Sequence, residues 1–422
     1  MLPTSSLKMP IIDPNPCDSA QRFASVNWTM IVALALIAIW ILTIAGSIGT
    51  KGGWLIDGAG VPQNNDFNNV YTAGQFVVQG EPEAAYDLDR HRQAQIALTG
   101  NPKSVFFPWP YPPTFLFVAG LLAFLPYAAA MFTWSVGGLA LFSIPLWRIA
   151  PTPAQFAILL AMPAVWLNSF VGQNGALTAG LIGGALLALP TRPMLAGVFI
   201  GLLSYKPHLG ILFPIALIAA GQWRAFASAA ITVIALAMLS VAAFGTAPWF
   251  AFPAQINHVM ALVNAADQPE RLQSLLGFAI AIGAPASAGA AAQSLLTLAL
   301  IAAVAWTWHS KSIAFDLKAA LLATAVTLAS PYQFVYDLPI LTIAQAFLLR
   351  HLAARGPIAW PDVLVLALVN VLVMTFAATP VPLGFVACLL LVATIAHKIQ
   401  SETGAKHAFA GQTATVAGAT AN

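Results

Sequence analysis

Charged side chains are scarce in this sequence: 7% of its 422 residues are Asp, Glu, Lys or Arg, while 59% are hydrophobic and the mean hydropathy is +0.81. A soluble domain needs roughly a quarter of its residues charged to wet its surface. The shortage excludes a water-solvated globule and leaves lipid as the main solvent. Cysteine is nearly absent too. Cys17 and Cys388 lie at opposite ends of the chain, one in a tail and one inside an apolar run, which excludes a disulfide framework or a cysteine metal site. The formal net charge is only +3 and the cations are scattered singly, so no basic stripe awaits nucleic acid. Missing as well are a Gly-rich phosphate loop, a DxD-like acidic pair in a soluble domain, a His/Cys metal cluster and a Ser-His-Asp set recognisable by spacing. That argues against a nucleotide held by a Rossmann unit.

Apolar runs are abundant. They centre on residues 28–48, 128–147, 154–170, 175–190, 225–244, 288–308, 316–329, 335–349, 361–378 and 381–397, and two more, 113–126 and 194–220, are broken by proline or lysine. None alternates as a barrel strand does, so helix is the expected state, and a full span needs roughly 20 residues. The expected fold is all-α: a polytopic membrane bundle of about 10–12 transmembrane helices with a long first external loop. The run that follows Lys8 and Arg22 is too long for a signal-peptide core and reads as a retained first helix. The divisions are a cytoplasmic segment 1–27, a transmembrane unit 28–398 with an external loop 49–112, and a disordered cytoplasmic tail 399–422. Arg224, Lys311, Lys318, Arg350, Arg355 and Lys398 fall on one side by counting spans, which puts both termini in the cytoplasm. Arg148 and Arg192 join them if 113–126 and 194–220 are re-entrant from opposite sides, with Lys206 at the outer end of a hairpin.

Polar residues concentrate at few places. The loop 49–112 holds Asp57, Asp66, Glu81, Glu83, Asp87 and Asp89. Asp66 precedes Phe67 and Tyr71, aromatics four apart that suggest a short helix lying at the membrane interface. Such a helix presses its carboxylate toward the protein; the plain alternative is a helix cap or a solvated acid. Glu81 to Asp89, beside Arg90, His91 and Arg92, reads as a mixed-charge surface helix. The loop closes on Phe106-Phe107-Pro108-Trp109-Pro110-Tyr111-Pro112-Pro113, an aromatic belt that also suits the face of a sugar. Lys206-Pro207-His208 interrupts an apolar stretch. A lysine there costs several kcal/mol unless paired or hydrated, and phosphate is a natural partner for a fixed ammonium; snorkelling to an interface is the alternative. Gly172-Gln173-Asn174-Gly175 reads as a turn whose amides can also meet sugar hydroxyls. Ser330-Pro331-Tyr332-Gln333-Phe334-Val335-Tyr336-Asp337 is a second polar break, with Asp337 expected at the head of a helix. The stretch between Phe244 and Leu276 reads as external, with an interfacial helix.

Taken in order, these features resemble glycosyltransferase family 87, the polyprenyl-phosphate-mannose-dependent mannosyltransferase-like proteins of the GT-C superfamily. The resemblance rests on Asp66 with Tyr71, Tyr111-Pro112-Pro113, Leu125-Pro126, Gly172-Gln173-Asn174, Ala196-Gly197 leading to Lys206-Pro207, Gln222-Trp223-Arg224-Ala225, Gln273-Ser274, and Ser330-Pro331 through Tyr336-Asp337-Leu338. It covers about 50 to 340. It implies transfer of a hexose from a polyprenyl-phosphate donor to a glycan or glycolipid acceptor on the non-cytoplasmic face of the plasma membrane, with inversion; no ligand set in the sequence implies a metal, and no cofactor is expected. Asp66 looks like the general base, and Lys206 with His208 the donor-phosphate site. Tyr71, Tyr111, Gln173, Asn174, Gln273, Tyr332, Gln333, Tyr336 and Asp337 would line the substrates. The chain departs from the mannosyltransferase branch at Tyr336-Asp337, where that branch has paired histidines, which weakens the inference to mannose. A transporter or flippase of lipid-linked sugars is the main competing class, but no internal repeat is evident and the acids gather in one loop. A silent assembly partner is the third.

Overall fold

The computed structural model describes residues 28–51, 55–63, 65–265, 271–376 and 378–419. The expected segment 1–27 lies outside them. Eighteen helices make up the described chain. In order they are α1 (Trp28–Lys51), α2 (Phe67–Val78), α3 (Leu88–Thr99), α4 (Pro113–Ala123), α5 (Tyr127–Ile149), α6 (Pro153–Leu160), α7 (Pro163–Val171), α8 (Gly175–Ala188), α9 (Pro193–Tyr205) and α10 (Pro207–Ala219). There follow α11 (Trp223–Phe244), α12 (Ala247–Ala265), α13 (Leu275–Ala281), α14 (Ala286–His309), α15 (Phe315–Ala329), α16 (Pro339–Ala353), α17 (Trp360–Met374) and α18 (Leu383–Ala419). Prolines open many of them, where the missing N–H costs nothing and the ring fixes φ near the helical value.

Five of these helices, α1, α5, α11, α14 and the first part of α18, are long and apolar enough to cross a membrane, and α6 with α7, bent by 48° between them, are so only when taken together. The expectation of ten to twelve spans meets a physical limit here. Helices α8, α9, α10 and α17 are apolar but only 10–17 residues long; at 1.5 Å per residue they fall short of a hydrocarbon core of about 30 Å. Lipid faces are evident on the outer helices, where Leu42, Ile231, Met238 and Leu298 are exposed. By contrast α15 and α16 are buried almost all round and form the centre of the main core, with Ala319, Leu322, Val326, Ile340 and Phe347 wholly enclosed. A helix apolar on every face belongs inside such a bundle.

Most of the chain's turns collect at two ends. At one, Tyr205 stacks on Phe115, Phe117 packs at a tilt against Phe244, Trp134 donates to the Gly172 carbonyl, and the Gly384 amide donates to Gln273. At the other, Trp308 meets Phe315, Ser228 bonds the Met194 carbonyl, and Arg350, Arg355 and Lys398 form ion pairs with Asp316, Glu402 and Asp362. Helix α9 climbs from this second end alongside α11. A Cβ on Gly197 would lie 2.3 Å from the Ala225 carbonyl oxygen, and one on Gly201 2.5 Å from Thr232. That register stops the tip at Lys206 about two helical turns, on the order of 10 Å, short of the end of α11, and α10 then returns. The stretch 194–220 is therefore a helical hairpin with Lys206 at its tip. Helix α4 is short as well. It lies antiparallel on α2, with Gly74 against Ala119 and the Tyr71 hydroxyl on the Leu125 carbonyl.

Helix α18 runs on to Ala419, and Glu402 within it pairs with His351 and Arg355. The run 335–349 is not one helix: residues Val335–Asp337 make a 3-10 turn and the α-helix begins at Pro339, because a proline is welcome only at a helix start.

Candidate active site

The first end of the bundle carries a small aromatic core built from α2, the extended segment from Trp109 that leads into α4 at Phe115, the start of α5 and Tyr205. Its parts are fixed by side chains. Gln95 exchanges two hydrogen bonds with the backbone of Phe107, and Asn69 donates to the Pro108 carbonyl, so α2 and α3 hold the proline-rich segment. Trp109, Tyr111 and Phe115 pack ring to ring on it. The segment Glu81 to Asp89 is a 3-10 turn, Pro82–Tyr86, then the start of α3 with Asp87 as its cap, in place of a single surface helix.

Asp66 stands immediately before α2 in helical conformation but does not cap it. The cap belongs to Asn65, whose Oδ1 accepts from the Phe67 amide at 3.0 Å. That frees the Asp66 carboxylate to face inward, where the Gln173 amide hydrogen-bonds it and Arg271, Lys206 and Asp337 stand within electrostatic reach. Gln173 is oriented in turn. Its Oε1 accepts from the Tyr111 hydroxyl at 3.3 Å and the Asn174 amide at 3.4 Å, while Asn174 Nδ2 donates to the Tyr111 hydroxyl at 2.7 Å. The turn itself depends on two glycines. Gly172 ends α7 with φ +72°, and a Cβ on Gly175 would lie 1.7 Å from the Tyr336 carbonyl oxygen. Asn168 seals that junction, donating to the Tyr336 carbonyl and accepting from the Ala176 amide, each at 3.1 Å.

Lys206 is buried, and its Nζ contacts Asp337 Oδ1 at 2.5 Å and lies 5.5 Å from the Tyr336 ring centroid. Both side chains of the pair are at most 6% exposed. Snorkelling does not describe this lysine, and Asp337 makes no helix cap. A charge in such surroundings is tolerable because it is paired. His208, half-buried on the first turn of α10, sits beside it. Opposite, the isolated Leu272–Phe334 bridge and the 2.6 Å bond from the Gln273 amide to the Gln333 carbonyl lay residues 271–273 against the 333–334 segment. Arg271, exposed and in none of the ion pairs among the described residues, is thereby held near Tyr336 and Asp66.

Nine of the twelve site residues expected from sequence thus fall in or beside one polar cluster: Asp66, Tyr111, Gln173, Asn174, Lys206, His208, Gln333, Tyr336 and Asp337. Tyr332 is half-buried on the same loop. Tyr71 and Gln273 serve otherwise. Tyr71 is buried among Phe67 and Tyr127 with its hydroxyl on the Leu125 carbonyl at 2.9 Å; its ring fastens α4 to α2. Gln273 Oε1 accepts from the Gly384 amide at 2.7 Å and so fastens the start of α18. Arg271 was not singled out by the sequence, because one arginine in a polar break looks like any loop cation. Two buried amide oxygens, Asn174 Oδ1 and Gln333 Oε1, have no protein partner.

Burial pushes the Asp66 carboxyl from its ordinary 3.8 up to about 6, and the like charge of Asp337 adds to this. The Gln173 bond, Arg271 and Lys206 pull the other way. The cluster therefore offers a carboxylate poised near neutrality, a cation open to solvent, a second cation held behind it, and amides between them. That is the equipment for taking a proton from a hydroxyl while an anionic group departs.

The description of glycosyltransferase family 87 matches residues 109–331, just over half of the 422 residues. The chain belongs to glycosyltransferase family 87. No curated protein and no solved structure matches it. As a family 87 protein with several apolar spans it is a membrane glycosyltransferase. The family match takes in Tyr111, Gln173, Asn174, Lys206 and Arg271, whereas Asp66 precedes it and Tyr336 and Asp337 follow it.

Proposed function

We propose that this glycosyltransferase moves a hexose, mannose or another, from a polyprenyl-phosphate donor to a glycan or glycolipid acceptor on the non-cytoplasmic face of the plasma membrane, inverting the anomeric centre. The observation that carries this reading is the Asp66 carboxylate, raised toward neutrality, hydrogen-bonded by Gln173 and within electrostatic reach of the cations Arg271 and Lys206. A single displacement at the anomeric carbon needs one base for the acceptor hydroxyl and positive charge for the departing phosphate. Asp66 accepts the acceptor's proton as the new glycosidic bond forms, and the bond between anomeric carbon and phosphate oxygen breaks with its electron pair leaving on the lipid phosphate. Arg271 meets that phosphate first, since its guanidinium is exposed and planar and binds phosphate oxygens in pairs. Lys206, neutralised by Asp337 at rest, adds its charge from beneath, with His208 beside it. Tyr111, Asn174, Tyr332, Gln333 and Tyr336 surround the sugar. The depth of the hairpin tip supports a lipid-borne donor, because a prenyl chain can lie in the bilayer while its phosphate reaches a site sunk below the surface.

The test is incubation of purified protein with defined polyprenyl-phosphate hexoses and short glycans, with products read by mass spectrometry. A new glycosidic bond that disappears in Asp66→Asn is expected, with the variant still folded and inserted. Uptake of lipid-linked sugar into proteoliposomes with no new bond would instead establish transport.

A further inference from the structure

Outside the reaction centre, a cleft lies between the Pro82–Tyr86 turn and α12. It has a volume of about 640 Å³ and is walled by Glu83, Tyr86, Asp87, Arg90 and Phe250. A smaller cleft of about 210 Å³ continues it past Tyr86 and Asp87 to Asp89 and Gln255. Volumes of this size accommodate small ligands. The walls have a definite chemistry. Phe250 is 81% exposed, an aromatic face offered to whatever enters. Glu83, Asp87 and Asp89 are exposed acceptors, while Arg90 is already paired with Glu81. Gln255 is 2% exposed, and its Nε2, a donor, is buried with no hydrogen-bond partner. An amide hydrogen left without a partner in a buried position costs about 1–3 kcal/mol, a cost that a ligand oxygen or an ordered water would relieve.

The groove is connected to the chemistry. Tyr86, common to both clefts, donates its hydroxyl proton to the Tyr111 carbonyl at 3.0 Å, and the Tyr111 side chain holds Gln173 and Asn174 next to Asp66. From this combination we infer that the groove is an acceptor subsite for a neutral glycan, binding sugar residues that lie beyond the one being glycosylated. The inference rests on the transfer reaction proposed above. A hexose presents an apolar face to Phe250, hydroxyl donors to Glu83 and Asp89, and acceptor oxygens to Gln255. An anionic glycan is disfavoured, because three carboxylates line its path. The donor sugar is not a candidate occupant, since its phosphate is expected at Arg271 and Lys206.

The experiment is calorimetric titration of a neutral hexose trisaccharide into the full-length protein in nanodiscs, against Phe250→Ala, Glu83→Gln, Gln255→Leu and, as a control on the opposite layer, Lys311→Ala. Saturable binding is expected, weakened at least tenfold by Phe250→Ala and Gln255→Leu, several-fold by Glu83→Gln, and unchanged by Lys311→Ala. Glu83 and Phe250 are exposed, so at least those two variants fold. Equal binding by wild type and all three groove variants overturns the assignment. So does tighter binding of a sulfated trisaccharide, or of a serine-bearing octapeptide. Trisaccharide binding that depends on the groove, in a protein that turns over no polyprenyl-phosphate hexose, refutes the transfer reading and leaves the groove as a glycan site. Transfer that is indifferent to the groove variants does the reverse.

Discussion

A carboxyl at the usual aspartate pKa is ionised at neutral pH but is a feeble base, and efficiency rises as the pKa approaches the working pH. Asp66 gains that advantage from burial, which lifts it to about 6. The acting form is the carboxylate, so kcat/KM should fall about tenfold per pH unit below 6 and level off above it. Because Arg271 lowers the Asp66 pKa, Arg271→Gln should move the inflection upward as well as raising KM for the donor. Asp66→Asn should cost about 10²–10⁴-fold in rate and abolish the inflection; a profile in Asp66→Asn with the same acid limb would assign the base elsewhere. The neighbouring ion pair invites a second measurement. Removing one partner of a buried pair leaves an uncompensated charge and costs about 3–5 kcal/mol, whereas removing both is often close to neutral. Lys206→Met and Asp337→Leu should each lower the unfolding midpoint sharply, and the double variant should recover most of it. Recovery of stability without recovery of transfer would tie Lys206 to the donor phosphate, while recovery of both would confine it to holding the hairpin tip against Asp337.

At the scale of elements, the broken helices explain what could and could not be read in advance. A lysine followed by proline inside an apolar run is hard to hide, so the 194–220 hairpin and its tip were legible from the sequence, as was the break that keeps 113–126 to a short helix. The polar turn at Gln173-Asn174 and the break at Ser330–Asp337 were legible for the same reason. Their meeting was less so. Gly175 looks like an ordinary turn residue until Tyr336 is found against it, 168 positions after the Asn168 that bonds its carbonyl. Arg271 is placed by one backbone bridge, Leu272 to Phe334, which no local pattern announces. Tyr71 was misleading for the opposite reason, since an aromatic four residues from an acid fits a sugar face and a packing clamp equally well. The junction at Gly175 yields a sharp expectation. Gly175→Ala would force Tyr336 away from α8, lowering transfer at least tenfold by kcat with modest loss of expression. Gly137→Ala, where nothing lies within 4 Å of the added carbon, should leave kcat unchanged and serves as the control.

The charges of the whole molecule are divided between its ends. Arg148, Arg192, Arg224, Lys311, Arg350, Arg355 and Lys398 lie at the end away from the polar cluster, and most of the acids of the long loop, Asp57, Glu81, Glu83, Asp87 and Asp89, lie in the other layer. Lysine and arginine in short loops are retained on the cytoplasmic side, so Asp66 should face outward. On that side a sugar donor must carry its own activating group, and a lipid phosphate anchored in the outer leaflet provides one. Sidedness can be measured without any assay of transfer. Ala59 and Lys311 are exposed on opposite layers, and Cys388 is fully buried. In a Cys17→Ser background, Ala59→Cys should react with a membrane-impermeant thiol reagent in intact cells, and Lys311→Cys only after permeabilisation. The opposite labelling would put the Asp66 cluster in the cytoplasm, where nucleotide sugars are at hand, and would remove the reason for a polyprenyl-phosphate donor while leaving the geometry of the cluster unchanged.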